Sequence, residues 1–251
     1  MTIKQIQIPV GGQRGDDPVH RYALYFGSRL KIPIQGIGID STLTAGQPSS
    51  MTGHANDSLF EELGRAWPDQ NNPSCQSRSC HASWASAFED PDRLTILPFG
   101  KHSRPSNLTI DQLFSLQRQT VLCCPDHYID IESIALSYDG GHQAKKSLEL
   151  AVWLSEKGTW PLSVLLTVDN QEKGTEWLDE VERLLDTVAI DSTTIVLYGP
   201  HEAALHRFMR DGSVEMLILG VSGQSHCHAG STEYTGAHTL STVDYPLLLV
   251  L

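Results

Sequence analysis

The chain has 251 residues and a formal net charge of −12, from 18 Lys and Arg against 30 Asp and Glu. This length suits one large domain or two of about 125 residues, each able to bury a core. The acidic balance argues against nucleic acid and against an anionic membrane surface as partners, because both require a basic face. No apolar stretch approaches the ~18–20 residues of a membrane-spanning helix.

The cysteines indicate a reducing compartment. There are five, an odd number, and Cys123 and Cys124 are adjacent within the apolar run TVLCC. A disulfide framework requires pairs, so we predict reduced thiols, a cytoplasmic protein, and core-strand positions for these two residues. The start of the chain, MTIKQIQIPVGG, alternates like a strand and lacks the form of a secretory signal.

Apolar strands and amphipathic helices alternate along the second half of the chain. The apolar runs are nearly continuous, which is typical of strands covered on both faces. Predicted strands occupy 131–139, 161–169, 193–199, 214–220 and 246–251, and predicted helices occupy 142–158, 175–188, 200–212 and 237–243. This alternation predicts a doubly wound parallel sheet of the α/β class.

The first half repeats the opening of this pattern at an offset of 129 residues. The offset joins Gly11 to Gly140 at the end of the first strand. It joins Asp40 to Asp169 at the end of the second strand. Two later apolar runs match the last two strands of the second half, and they occupy 94–100 and 120–125.

The two halves differ in a polar insertion at 41–80, which is rich in Ser, Asn, Gln, Pro and Gly. Only 59–67 has helical spacing within it. We therefore predict two tandem doubly wound parallel-sheet units, at 1–127 and 128–251. The first unit is degenerate and lacks part of its third strand and the helix after it.

The second half resembles the universal stress protein family. The matching features are a strand ending in Asp139 with Gly140-Gly141, the segment IVLYGPHEAALHRFM, a strand closing on LILGVSG, and the terminal YPLLLVL. The resemblance implies a five-stranded parallel sheet and a role as a stress-response regulatory or binding module. It also implies that the two units pair within one chain as a pseudo-dimer, and a homodimer of whole chains stays open as an alternative.

The ATP-binding branch of this family has an Asp after its first strand and Gly-x2-Gly-x9-Gly-Ser/Thr after its fourth. Matched by position, the resemblance implies these adenine-nucleotide contacts: Asp139, Val168, Leu219, Gly220 and Gly223. Glu233 and Tyr234 stand where the final Gly-Ser/Thr belongs. A carboxylate facing phosphates costs roughly 1–4 kcal/mol, so a weakened site for ATP or another adenine nucleotide is predicted. In the first unit Val10 replaces the Asp, and no nucleotide is expected there.

Structural explanations compete with these assignments. Asp139 has the residue type of a helix cap, and Gly220 and Gly223 suit a turn that leaves a buried strand. No Ser/His/acid order and no acid–base carboxylate pair is evident, so no catalytic residue is predicted. A slow nucleotide hydrolase using Asp139 and Gly220 is the alternative function.

A metal site is not expected, because neighbouring residues seldom all face one ion. His226-Cys227-His228 is one candidate group, and a sensor using these residues is a minor alternative. Cys75, Cys80 and His81 form a second loose group.

Overall fold

The computed structural model divides into two compact units, Ile3–Tyr128 and Ile129–Leu251. The residues that it describes are 2–10, 17–38, 76–77, 90, 92–100, 113, 119–168, 171–211, 214–221 and 244–251. Each unit is built from parallel strands connected by crossovers, as the sequence pattern predicts.

In the described part of the first unit, five strands accompany one helix. The strands are β1 (Gln5–Val10), β2 (Ile34–Gly38), β3 (Gln76–Ser77), β4 (Arg93–Pro98) and β5 (Thr120–Cys124), and the helix is α1 (Pro18–Leu30). They pair in parallel in the order β3-β2-β1-β4-β5. A carboxylate oxygen of Asp17 accepts a hydrogen bond from the Val19 N–H at 3.0 Å and thereby caps α1.

In the described part of the second unit, five strands alternate with three helices. The strands are β6 (Ile134–Tyr138), β7 (Leu162–Val168), β8 (Ser192–Tyr198), β9 (Met216–Gly220) and β10 (Leu247–Val250), and the helices are α2 (His142–Gly158), α3 (Gln171–Leu185) and α4 (His201–Asp211). Their order is β8-β7-β6-β9-β10, again with parallel pairing throughout.

The predicted α/β class is confirmed, and the strands of the second unit begin and end within three residues of their predicted bounds. One expectation was wrong: β8 is not buried, although α3 and α4 both contact it. It pairs with β7 alone among the described strands, its side chains are largely half-exposed, and Tyr198 is 65% exposed. The reason is its edge position, which sequence hydrophobicity does not reveal. The helices predicted at 59–67 and 237–243 lie outside the described residues.

All five residues of β5 are buried, which confirms the core-strand prediction for Cys123 and Cys124. Neither cysteine forms a disulfide bond with a described residue. Burial is the main cause that raises the pKa of the Cys124 thiol, and the adjacent Cys123 and the Asp17 carboxylate add to it. The thiol therefore stays protonated and unreactive in the folded unit.

Trp160 links the start of the second unit to the end of α2. It is 1% exposed, and its Nε1 donates a hydrogen bond to the Ile131 carbonyl at 3.1 Å. Ser155 Oγ donates to the Trp160 carbonyl at 2.6 Å. The indole also covers Gly158 so closely that a Cβ there would come within 2.2 Å of the ring. Trp160 thus ties the start of the second unit to the carboxyl end of α2.

We expect Trp160→Ala to lower the free energy of unfolding by about 3–5 kcal/mol, because the substitution leaves a large cavity. Trp160→Phe keeps an aromatic ring but removes the N–H that donates to the Ile131 carbonyl, so a smaller loss of about 1–3 kcal/mol is expected. Urea denaturation followed by circular dichroism measures both. The exposed Lys157→Ala is the control, and a Trp160→Ala protein as stable as this control contradicts the anchoring role.

Candidate functional site

The carboxyl ends of β6 and β9 lie side by side in the second unit. β6 pairs with β7 on one side and with β9 on the other, and Ser137 stands opposite Leu219 in the second pairing. From β6 the chain proceeds outward to β7 and β8, and it then returns to β9 and β10 on the other side of β6. Such a topological switch point is where open α/β sheets bind ligands.

Asp139 follows β6 directly at this edge and is exposed. Its Oδ1 accepts a hydrogen bond from the Gly141 N–H at 2.9 Å, which closes the turn before α2. The structural explanation of this residue, a turn before the helix, is therefore observed. Its Oδ2 makes no hydrogen bond to the described residues, so the side chain keeps an acceptor that a ligand can use.

Gly220 ends β9 where that strand meets the first turns of α2. A Cβ at this position would lie 2.7 Å from Ser147 Oγ and 2.8 Å from the carbonyl carbon and oxygen of Gln143. Real Cβ atoms do not approach backbone this closely, so the packing itself requires glycine here. The glycine admits the helix to the strand whether or not a phosphate is bound.

Gln143 also lies at this edge, but it is not among the positions of the family motif. Its Nε2 donates a hydrogen bond to the Val221 carbonyl at 3.4 Å, joining α2 to the chain that leaves β9. Its Oε1 is buried without a hydrogen-bond partner among the described residues. Gly141, the N-cap of α2, makes no side-chain cap bond, so the first-turn N–H groups of α2 are available to an anion.

A second set of side chains adjoins the 139–141 turn from α3. Trp177 lies over Gly140, which has a φ of +74°, and a Cβ on that glycine would come within 2.2 Å of the indole. Lys145 of α2 forms a 2.6 Å ion pair with Glu180 of α3, and this pair lowers the pKa of Glu180. Tyr138 is fully buried beneath this set. These contacts fix α3 against the start of α2.

The hydroxyl of Tyr138 meets no acceptor in good hydrogen-bond geometry among the described residues. Burial is the main cause that raises its pKa, and the nearby Glu180 carboxylate adds to the rise. The phenol therefore stays neutral at pH values where an exposed tyrosine ionises.

Val168 and Leu219 are core residues, at 2% and 5% exposure. Val168 faces α3, because a Cβ on Gly174 would lie 3.4 Å from its methyl groups. Leu219 stands opposite Ser137 and so faces the other side of the sheet. The structure thus brings Asp139 and Gly220 to one edge but turns the side chains of Val168 and Leu219 to opposite faces.

Ser137 and His201 form a contact that the sequence analysis missed. Ser137 Oγ and His201 Nε2 are 3.3 Å apart, although 64 residues separate them in the chain. His201 begins α4, on the sheet face opposite α2. His201 lies in the segment IVLYGPHEAALHRFM and Ser137 in β6, but nothing in either segment pairs the two residues, and only the strand order brings them together.

Several predicted residues lie outside the described part of the chain. They are Gly223, Glu233, Tyr234, the metal candidates at 226–228, Cys75, Cys80 and His81. Among the described residues no group of three or more His, Cys, Asp and Glu side chains is arranged to hold a metal ion.

An open groove lies away from the switch point, between β8 and α4. Its volume is about 360 Å³, and its lining residues are Leu197, Tyr198, Ala204, Arg207, Phe208 and Asp211. None of the predicted nucleotide contacts lines it. The groove therefore adds nothing to the candidate site.

Comparison with known proteins supports the resemblance seen in the sequence. No family model matches the chain. A universal stress protein of Synechocystis sp. is 24% identical over 132 residues, which are 51% of this chain and 45% of that relative, so the match spans less than half of the relative's length. The crystal structure of a universal stress protein from Archaeoglobus fulgidus superposes with a TM-score of 0.69 at 13% identity, covering 98% of this chain and 97% of that one.

The chain resembles universal stress proteins in sequence over about half of its length and has their fold. The same fold occurs in other proteins, because the cytoplasmic domain of a prokaryotic cation chloride cotransporter superposes with a TM-score of 0.58 at 11% identity, covering 99% of this chain and 95% of that one. The function must therefore be argued from the site. No helix in the described ranges is long and apolar enough to cross a membrane.

We expect Gly220→Ala to lower the free energy of unfolding by about 1–3 kcal/mol in the absence of any ligand, because the new methyl overpacks the β9–α2 contact. Adding Ser147→Ala relieves the hydroxyl contact but not the backbone of Gln143, so it should restore only part of the loss. Gly174→Ala is the matched control, since its Cβ meets only ordinary contacts at 3.4 Å. Equal stability of Gly220→Ala and Gly174→Ala would show that close packing does not require the glycine.

Because the Tyr138 phenol is buried, we expect the free energy of unfolding of the protein to depend on pH. An unfolded tyrosine ionises near pH 10, whereas Tyr138 stays protonated in the folded unit, so stability should fall as the pH rises above about 10. Tyr138 alone should lower the free energy of unfolding by about 1.4 kcal/mol at pH 11. Tyr138→Phe should remove it in urea denaturation series between pH 8 and 11, whereas Tyr198→Phe, at an exposed position, should not. A pH profile unchanged by Tyr138→Phe overturns this prediction.

Proposed function

We propose that the chain is a tandem regulatory or binding module whose second unit keeps a weakened adenine-nucleotide site. The observation that carries the proposal is the switch point, where Asp139, Gly220 and the N-terminus of α2 meet at one edge of the sheet. An adenine nucleotide suits such an edge, because glycine admits its phosphates to the backbone and the helix start offers N–H donors.

The tandem part of the proposal is supported by the strand orders of the two units. In each unit the first strand lies between the second and the fourth, and the third and fifth lie outermost. The first strands begin 129 residues apart, at Gln5 and Ile134, and the second strands begin 128 apart, at Ile34 and Leu162. A duplicated unit accounts for both observations.

The two units are proposed to differ in ligand binding. Val10 ends β1 where Asp139 follows β6, so the first unit lacks the acidic contact. In the second unit, Glu233 and Tyr234 stand where the family motif has Gly and Ser or Thr, and the carboxylate repels a phosphate chain. A cytoplasmic location is proposed as well, and it is supported by Cys123 and Cys124, which form no disulfide bond with a described residue.

Isothermal titration with ATP, ADP and AMP tests the site. We expect Kd values of roughly 0.1–1 mM, equivalent to about 4–5.5 kcal/mol of binding free energy. Asp139→Ala and Gly223→Val should abolish binding, whereas Asp130→Ala, at an exposed position outside the switch point, should not. Absence of binding by all three nucleotides removes the nucleotide site from the proposal.

The chain also offers a gain-of-function variant. Glu233→Gly combined with Tyr234→Ser restores the family motif and should tighten ATP binding about tenfold or more, since 1.4 kcal/mol of relieved repulsion is a factor of ten. Sub-micromolar ATP binding by the parent protein would show instead that the site is not weakened.

Native mass spectrometry of freshly purified protein reports co-purified nucleotide and the oligomeric state together. The oligomeric state separates a single chain with paired units from a homodimer.

Slow hydrolysis of a bound nucleotide at the same edge is the competing function. A turnover assay that compares the parent with Asp139→Ala separates it from binding alone. Equal background rates in the two proteins exclude the hydrolase, and a rate lost in Asp139→Ala establishes it.

A further inference from the structure

A histidine of the first unit is buried without a hydrogen-bond partner in the described part of the chain. His20 lies in the first turn of α1 and is 2% exposed, and neither of its ring nitrogens makes a hydrogen bond there. A neutral imidazole has one donor and one acceptor, whereas the imidazolium ion has two donors and a positive charge. Burying an unpaired charge costs far more than burying an unpaired polar group, so the folded unit favours neutral His20.

His20 lies on the side of α1 that packs against the sheet. Ala23 and Gly27 follow it on the same side of the helix, and both are buried. A Cβ on Gly27 would come within 2.8 Å of Ile34 Cδ1, so this side of the helix touches β2. The imidazole is therefore enclosed where the helix meets the sheet, and water reaches it when the two separate.

The strand register shows that Cys124 lies on the sheet face that α1 covers. Ile34 of β2 stands opposite Ile6 of β1. Ile6 stands opposite Leu94 of β4, and Leu94 stands opposite Thr120 of β5. Side chains alternate along a strand, so Cys124, four residues after Thr120, shares this face. The contact between α1 and β5 agrees with this placement.

The charged group nearest to His20 does not offset the effect of burial. Burial is the main cause that lowers the pKa of His20, and the Asp17 carboxylate at the start of α1 opposes it. The same carboxylate acts on the pKa of the Cys124 thiol, so the three groups lie at one end of the helix.

The other described charged groups at this end of the unit lie elsewhere. Arg21 is exposed, and its guanidinium lies over the Tyr128 ring at 4.0 Å. Asp126, which follows β5, lies against Gly100. On the covered face β5 contributes Cys124, and the described residues of β1, β2 and β4 contribute no titratable side chain. Within the described ranges, Asp17 and Cys124 are thus the titratable groups that adjoin His20.

The corresponding helix of the second unit buries no titratable group. α2 follows β6 as α1 follows β1, and its buried residues are Ala144, Ser147, Leu148, Leu150, Ala151, Leu154, Ser155 and Gly158. The described histidines of this unit, His142, His201 and His206, are exposed or half-exposed. Among the described residues, a buried histidine therefore distinguishes the first unit from the second.

We propose that His20 makes the first unit an acid-sensitive switch. Protonation of the imidazole opens this unit, so that α1 leaves the sheet and the thiols of β5 become accessible, while the second unit stays folded. The imidazolium ion needs two hydrogen-bond acceptors, and water supplies them once the helix and the sheet separate. Opening requires no ligand, so the switch does not depend on the proposed nucleotide site.

The direction of the pH effect depends on which form of the unit binds the proton more tightly. A histidine in contact with water titrates near pH 6.5, whereas buried His20 binds its proton at lower pH. The open form therefore binds more protons below about pH 6.5. Opening should become up to about tenfold more frequent for each pH unit of acidification, until the pH reaches the lowered pKa of the folded form.

Amide hydrogen exchange of the intact protein, followed by mass spectrometry between about pH 5 and 8, tests the switch. After correction for intrinsic exchange, peptides from α1 and β5 should lose protection below about pH 6.5, and peptides from α2 and β7 should not. His20→Leu, close in volume, should remove this pH dependence, whereas His142→Leu, at an exposed position, should leave it unchanged. Equal loss of protection in both units, no loss in the first unit, or a profile unchanged by His20→Leu overturns the proposal.

Thiol labelling gives a second measurement of the same opening. Cys75→Ser, Cys80→Ser and Cys227→Ser together leave the two thiols of β5, and dithiodipyridine reacts with thiols at acid pH. Relative to the unfolded chain at each pH, labelling should become faster as the pH falls from about 7 to about 5.5. Adding His20→Gln, which binds no proton and also serves if His20→Leu does not fold, should make the relative rate independent of pH. The switch is refuted by a relative rate that does not change with pH in the parent.

Discussion

The close approach of β9 to the first turns of α2 shapes the switch-point edge of the second unit. It is made without any side chain at Gly220, and it lets Gln143 reach the Val221 carbonyl while the first-turn N–H groups stay at the sheet edge. Packing alone therefore requires a residue without a Cβ at this position. Its presence supports a helix–strand contact first, and a phosphate cradle only in combination with other groups.

Much of the fold could be predicted from the sequence because the signals are local. Continuous apolar runs mark β6, β7 and β9, and helical spacing marks α2. The exposure of β8 could not be predicted, because its apolar residues read like those of a buried strand and only the strand order makes it an edge. The anchoring role of Trp160 could not be predicted from the sequence, because the turn after α2 decides which residues the indole contacts.

The residues of the candidate site also fall into those that could be predicted from the sequence and those that could not. Asp139 and Gly220 could be found because each directly follows or ends a strand. Gln143, Trp177 and the Ser137–His201 contact could not, since each depends on which elements become neighbours in the sheet. The positions taken from the family motif also carry different physical roles here: Val168 and Leu219 are buried core on opposite faces, so any contribution to a ligand comes through the backbone near them.

The adjacent thiols of β5 have a consequence for chemical reactivity. Cys123 and Cys124 are buried, and burial holds the Cys124 thiol in its unreactive protonated form. An alkylating or oxidising reagent modifies them only when the strand separates from its neighbours, because thiolate formation requires access to water. Their labelling rate thus measures how often the first unit opens. Modification of these two cysteines therefore reports unfolding of the first unit, because the folded unit keeps both thiols away from the reagent.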